Sequence, residues 1–184
     1  MRPHFLLPAA IAACASLLSA CDDAAQPTSP AAMSQAVAGR VERLVTMFDG
    51  CDPESFTAQG ALCTRQGGIT FDNFVSLLEK HQSAGAWRFS PGSLDASVGQ
   101  TLRVVNHGGE VHTFTEVEAF GGGFVEALNT LSGNPDPAPE CLGLVPAAFI
   151  PPGATLLEAV NKLGTEHYQC CIHPWMRFEL QVRR

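Results

Sequence analysis

The sequence is short of charge, and of basic charge above all. Only 16% of its 184 residues are charged, the formal net charge is −7, and Lys and Arg never form a run. Phosphate backbones are bound by clustered basic side chains, so nucleic acid is excluded as a partner. No Cys-x-x-Cys-His stretch occurs, which excludes covalent haem attachment. No internal repeat is visible, and no general acid, base and nucleophile are assembled, so no substrate turnover by this chain alone is expected. Apolar residues, by contrast, make up 46%. That is enough to bury a core in one domain with an appendage, or in two very small domains.

The first stretch, "MRPHFLLPAAIAACASLLSAC", carries Arg2, an apolar segment from Phe5 to Leu18, and small residues before Cys21. This is the layout of an export signal over residues 1–20. The apolar run is short and broken by Pro8, which argues against a retained membrane span. "Leu18-Ser19-Ala20-Cys21" resembles a bacterial lipobox, with Cys21 lipidated; an ordinary cleaved signal is the alternative. The polar, Ala- and Pro-rich residues 22–33 cannot pack a core and read as a flexible leash. The expected location is therefore the periplasm, with a lipid anchor as the only membrane attachment.

Export changes the meaning of the remaining cysteines, because thiols oxidise outside the cytosol. With Cys14 and Cys21 set aside, Cys51, Cys63, Cys141, Cys170 and Cys171 are left, an odd number. An odd count implies a reactive thiol, an intermolecular bridge or a thiolate held by a metal.

Along the chain, residues 34–48 place Val37, Val41, Leu44, Val45 and Phe48 on one helical face, which predicts a helix. A loop rich in turn formers follows, and a Cys51–Cys63 disulfide closing it is the simplest reading. Thr70 reads as the N-cap of a second helix, with Phe71, Phe74, Leu77 and Leu78 on one face. Residues 34–84 thus form a helical, disulfide-looped extension. From residue 85 the pattern turns to short β-branched or aromatic runs: "AWRFSP", "TLRVVN", "VHTFTEV", "ATLLEAV" and "RFELQVRR". In the last, Phe178, Leu180 and Val182 alternate with polar residues, as a half-buried strand requires. An antiparallel sandwich or small barrel over 85–184 is expected. Residues 119–150 interrupt it as a long excursion with a helical turn or two around Phe124 to Leu128.

The stretch "HYQCCIHPWMRFELQV" carries the chemistry. Cys170, His173 and Met176 offer a thiolate, an imidazole and a thioether on one tight loop. Copper uses this set, in a trigonal site of two histidines and one cysteine with a weak axial methionine. His112, after a Gly-rich turn and at the start of a strand, is the best candidate for the second histidine. A zinc site is chemically possible, but the methionine favours copper. His81, His107 and His167 have no comparable context.

"Cys170-Cys171-Ile172-His173-Pro174-Trp175-Met176" resembles the ligand loop of the cupredoxins, the amicyanin type most closely, and the likeness covers about residues 86–184. It implies a Greek-key β-barrel or sandwich, all-β apart from the helical extension, with one type 1 copper held by His112, Cys170, His173 and Met176. It also implies that Asn106 ties the two ligand loops together, holding the Cys170 loop by hydrogen bonds. Pro174 and Trp175 would lie on an apolar docking patch around the exposed edge of His173. The family spacing selects Cys170 over Cys171 as the ligand, although a vicinal disulfide between them is an alternative. Counting then pairs Cys141 with Cys171. Amicyanins lack the helical preamble and have a shorter segment between the first histidine and the cysteine.

The resemblance, taken with the lipobox at Cys21, implies a monomeric, membrane-tethered carrier of single electrons that meets redox proteins through a small, transient interface. A copper-binding module for delivery, storage or sensing has the same ligand list. An exported β-sandwich with all its cysteines bridged is the third alternative.

Overall fold

The computed structural model describes residues 42–184. The expected export signal, the Cys21 lipidation site and the 22–33 linker lie outside the described residues. Three short runs that were expected to be strands are strands: β2 (Arg88–Ser90), β4 (Thr101–Asn106) and β8 (Thr155–Ala159). They form one four-stranded sheet with β1 (Glu42–Phe48), in the order β2-β1-β4-β8. A second sheet joins β3 (Ser93–Ser97), β10 (Arg177–Arg183), β9 (Gly164–Gln169) and β6 (Thr115–Val117), in the order β3-β10-β9-β6. Short β5 (His112–Thr113) pairs with β7 (Phe149–Ile150). The result is a mostly β sandwich of two mixed sheets. It is not purely antiparallel, because β1 runs parallel to β4 and β3 runs parallel to β10.

The region expected to be helical at 42–48 is corrected to strand β1. Val45 and Met47, both 0% exposed, face the core two residues apart, while Leu44 is 51% exposed. A short apolar run fits either period, and here the free edges of β2 and β4 decide in favour of the strand. The segment is therefore a central strand of the sandwich. Residues 42–84 share one core with residues 85–184: Val45, Phe56, Phe74 and Leu78 pack in the same cluster as Leu102, Phe178 and Leu180. Burying each such side chain stabilises the fold by roughly 1.5–3 kcal/mol.

Two helices cross the end of this core. In α1 (Pro53–Thr57) the Asp52 carboxylate caps by accepting from the Ser55 N–H, and Pro53 occupies the first turn. In α2 (Phe71–His81) Thr70 is the N-cap, as expected, and the left-handed Gln82 ends the helix. Phe56, Phe74 and Trp87 pack together: Phe56 stacks on Trp87, and the Phe74 ring lies tilted against Trp87 with centroids 4.6 Å apart. The 119–150 excursion carries α3 (Glu126–Leu131) and α4 (Pro139–Leu142). Disulfides join Cys51 to Cys63 and Cys141 to Cys171, and Cys170 is free and buried. No helix among the described residues is long and apolar enough to cross a membrane.

Candidate metal centre

Strand β9 ends at Gln169 and β10 begins at Arg177, so residues 170–176 form the loop between two hydrogen-bonded neighbours. Its shape comes from its own backbone: the Cys170 N–H donates to the Met176 carbonyl at 3.1 Å, and the Met176 N–H to the His173 carbonyl at 2.8 Å. That closure turns Cys170 and His173 toward the same interior point. Strand β5 delivers His112 to it from the other side, anchored by its pairing with Ile150 of β7.

There the Cys170 sulfur lies 3.8 Å from His112 Nδ1 and 3.7 Å from His173 Nδ1. Donors about 2.0–2.3 Å from a shared first-row ion, at trigonal angles, stand roughly 3.8 Å apart. The spacing thus fits one ion held by a thiolate and two imidazoles. All three residues are buried, His112 and Cys170 at 0% exposed and His173 at 2%. Met176, 1% exposed, is packed into the main core cluster at the end of the same loop.

Burial alone would push the Cys170 thiol up, but the two imidazoles beside it win and hold it well below the usual thiol range. Burial likewise opposes the charged form of His112, yet its bonds to Asp49 and Cys170 push it up to about 9. The Asp49 carboxyl is lowered to about 2: burial opposes this, and hydrogen bonds from His112 and from the Gly109 and Glu110 N–H groups outweigh it.

Several of these supports lie on residues that sequence reasoning missed. His112 Nε2 is 3.0 Å from Asp49 Oδ2, and both side chains are buried. His173 Nε2 lies 3.6 Å from Glu110 Oε2, which also accepts a short hydrogen bond from Trp87 Nε1. Burial raises the Glu110 carboxyl, and the charge of His173 works against that rise. Gly108 is required where it stands, since a Cβ there would collide with the Asp49 carboxylate. Thr113 joins the two ligand strands: its N–H points at the Cys170 sulfur at 3.4 Å, and its hydroxyl accepts from the Cys171 N–H at 2.8 Å.

Two expectations are corrected. Asn106 does not hold the Cys170 loop. Its amide donates to the Glu110 and Ile150 carbonyls and its oxygen accepts from the Gly108 N–H, so it shapes the turn before His112. The tie to the Cys170 loop is made by Thr113, which directly follows the histidine. Nor does His173 show an exposed edge. The Trp87 ring lies tilted beside it with centroids 6.4 Å apart, Pro174 is buried, and Trp175 is half-buried against Phe74, donating to the Ala84 carbonyl at 3.3 Å. The cause is the 71–87 segment, which lies over the face that the resemblance leaves open.

No protein-family model matches the sequence, and no curated protein matches it. Among solved structures, the fold is similar to a purple cupredoxin from Nitrosopumilus maritimus, at 15% identity and a TM-score of 0.44, covering 76% of this chain and 98% of that one. It is also similar to a Cu(I) form of an amicyanin mutant, at 17% identity and a TM-score of 0.37, covering 52% of this chain and 73% of that one. At such values the function has to be argued from the residues themselves.

Proposed function

We propose that this protein holds one copper ion in a type 1 site and carries single electrons between redox proteins. The observation that carries the reading is the convergence of one thiolate and two imidazole nitrogens, 3.7–3.8 Å from sulfur to nitrogen, in a fully buried pocket. Cys170, His112 and His173 would hold the ion, and the Met176 thioether would add a weaker fourth donor; soft sulfur with imidazole is a donor set that favours copper. When bound, copper would supply a one-electron couple. The chain's own part is to keep the donors in one arrangement through both oxidation states. The backbone closure of 170–176 and the Thr113 bonds do this, and the surrounding core excludes water.

Burial of the donors also supports a carrier over a delivery module, since an ion released to an acceptor needs a route out. Contact with partners would pass through the half-exposed Trp175, which adjoins Met176 in the chain. Export and anchoring at Cys21 belong to the same proposal, and no catalytic turnover is part of it. The test is repeated chemical reduction and reoxidation of the copper-loaded chain in the presence of a Cu(I) chelator. A carrier returns its full oxidised spectrum with copper retained, whereas loss of copper to the chelator in the reduced state favours delivery.

A further inference from the structure

Each of the two imidazoles has its outer nitrogen, Nε2, directed at a buried carboxylate from elsewhere in the fold. We propose that Asp49 and Glu110 are positioning residues of the metal centre: each engages the Nε2 of one histidine, so that both Nδ1 atoms are presented to Cys170 and to the ion. The inference rests on the copper reading above.

The geometry is tighter at His112, which is at hydrogen-bond distance from its carboxylate, than at His173, which is at ion-pair distance. Asp49 follows β1, 63 residues before His112 in the chain, and its Oδ2 lies 3.0 Å from the ring nitrogen. The same carboxylate accepts from the Gly109 and Glu110 N–H groups at 2.9 Å, so its own orientation is fixed from two further directions. Glu110 is placed by the Trp87 indole and stands 3.6 Å from His173 Nε2. An imidazole that donates Nε2–H to a fixed acceptor keeps Nδ1 free for metal, and such partners are typically worth about 10–100-fold in metal affinity. Glu110 and the Trp87 indole also take the place that solvent would have beside His173. Two carboxylates near the ion favour its higher charge state, so removing either one should raise the reduction potential.

The experiment uses the full chain, as wild type, Asp49→Asn and Glu110→Gln, with histidines labelled by nitrogen-15. In the metal-free wild type, the Nε2–H protons of His112 and His173 should be visible and protected from solvent exchange, whatever Nδ1 carries. Asp49→Asn should weaken the protection of the His112 proton alone, and Glu110→Gln that of the His173 proton alone, because a neutral amide oxygen accepts more weakly than a carboxylate. Cu(II) affinity should fall about 10–100-fold in each variant, with the reduction potential shifted upward. Asp49 also caps a turn, so its variant is the more prone to misfold. Glu110→Gln keeps its shape and tests the claim independently. Unprotected Nε2–H protons in the wild type, or Glu110→Gln binding Cu(II) like the wild type with an unmoved potential, would overturn the proposal. Protected protons in a wild type that takes no Cu(II) would instead overturn the copper reading, and with it the purpose of the clamps.

Discussion

The C-terminal loop and the 42–87 segment serve one site in opposite ways. Residues 170–176 bring Cys170, His173 and Met176 within seven positions, and short backbone bonds set their arrangement. Residues 42–87 contribute none of the expected donors, yet they supply the Asp49 carboxylate, the Trp87 indole and the aromatic cover over His173. Donor atoms can be encoded locally because a tight turn gathers near neighbours. Shielding and orientation come from the far side of the imidazoles, which only a distant part of the chain can reach.

Substitutions can separate the two contributions. Cys170→Ala should have the largest effect on the metal, removing the thiolate-to-copper absorption and lowering Cu(II) affinity by more than the roughly 10–100-fold that outer partners are worth; a titration followed by absorption checks both. Trp87→Ala, in the covering segment, should act first on stability, costing about 3–5 kcal/mol in chemical denaturation because an almost fully buried indole is lost. If the fold survives, the His173 ring should become reactive to a histidine-modifying reagent. Replacing Cys51 and Cys63 together by serine should cost about 2–4 kcal/mol, read as a lower thermal midpoint for the metal-free chain. Thr113→Val should cost about 1–3 kcal/mol, because it leaves the buried Cys171 N–H without its acceptor. Its backbone N–H to sulfur remains, so copper should still bind. Met176→Leu should be the mildest, costing less than about 1.5 kcal/mol. It should keep Cu(II) bound while shifting the absorption band, because a thioether donor is lost.

The same contrast explains what could be read from the sequence. The ligand loop was legible because soft donors at close spacing are rare by chance. Strand β10 was legible because Phe178, Leu180 and Val182 alternate cleanly with exposed neighbours. Strand β1 was not, since Val45, Thr46 and Met47 are buried in succession, and this blurs the two-residue period. Strand β9, "GTEHYQ", carries too little apolar residue to announce itself, although Tyr168 and Gln169 are buried. Asp49 lies in a turn-rich stretch where aspartate is ordinary, and its partner is 63 residues away. Nothing local marks it. Asn106 was noticed but given the wrong task, because position in the sequence does not reveal which of two neighbouring loops a side chain amide will reach.

The central claim is that three donor atoms in a buried pocket take up one copper ion as a thiolate complex. Titrating the unmodified chain with Cu(II), followed by visible absorption, tests it most directly. The account predicts an intense blue or green thiolate-to-copper band that grows to one equivalent and then stops. A chain that stays colourless through several equivalents would contradict it.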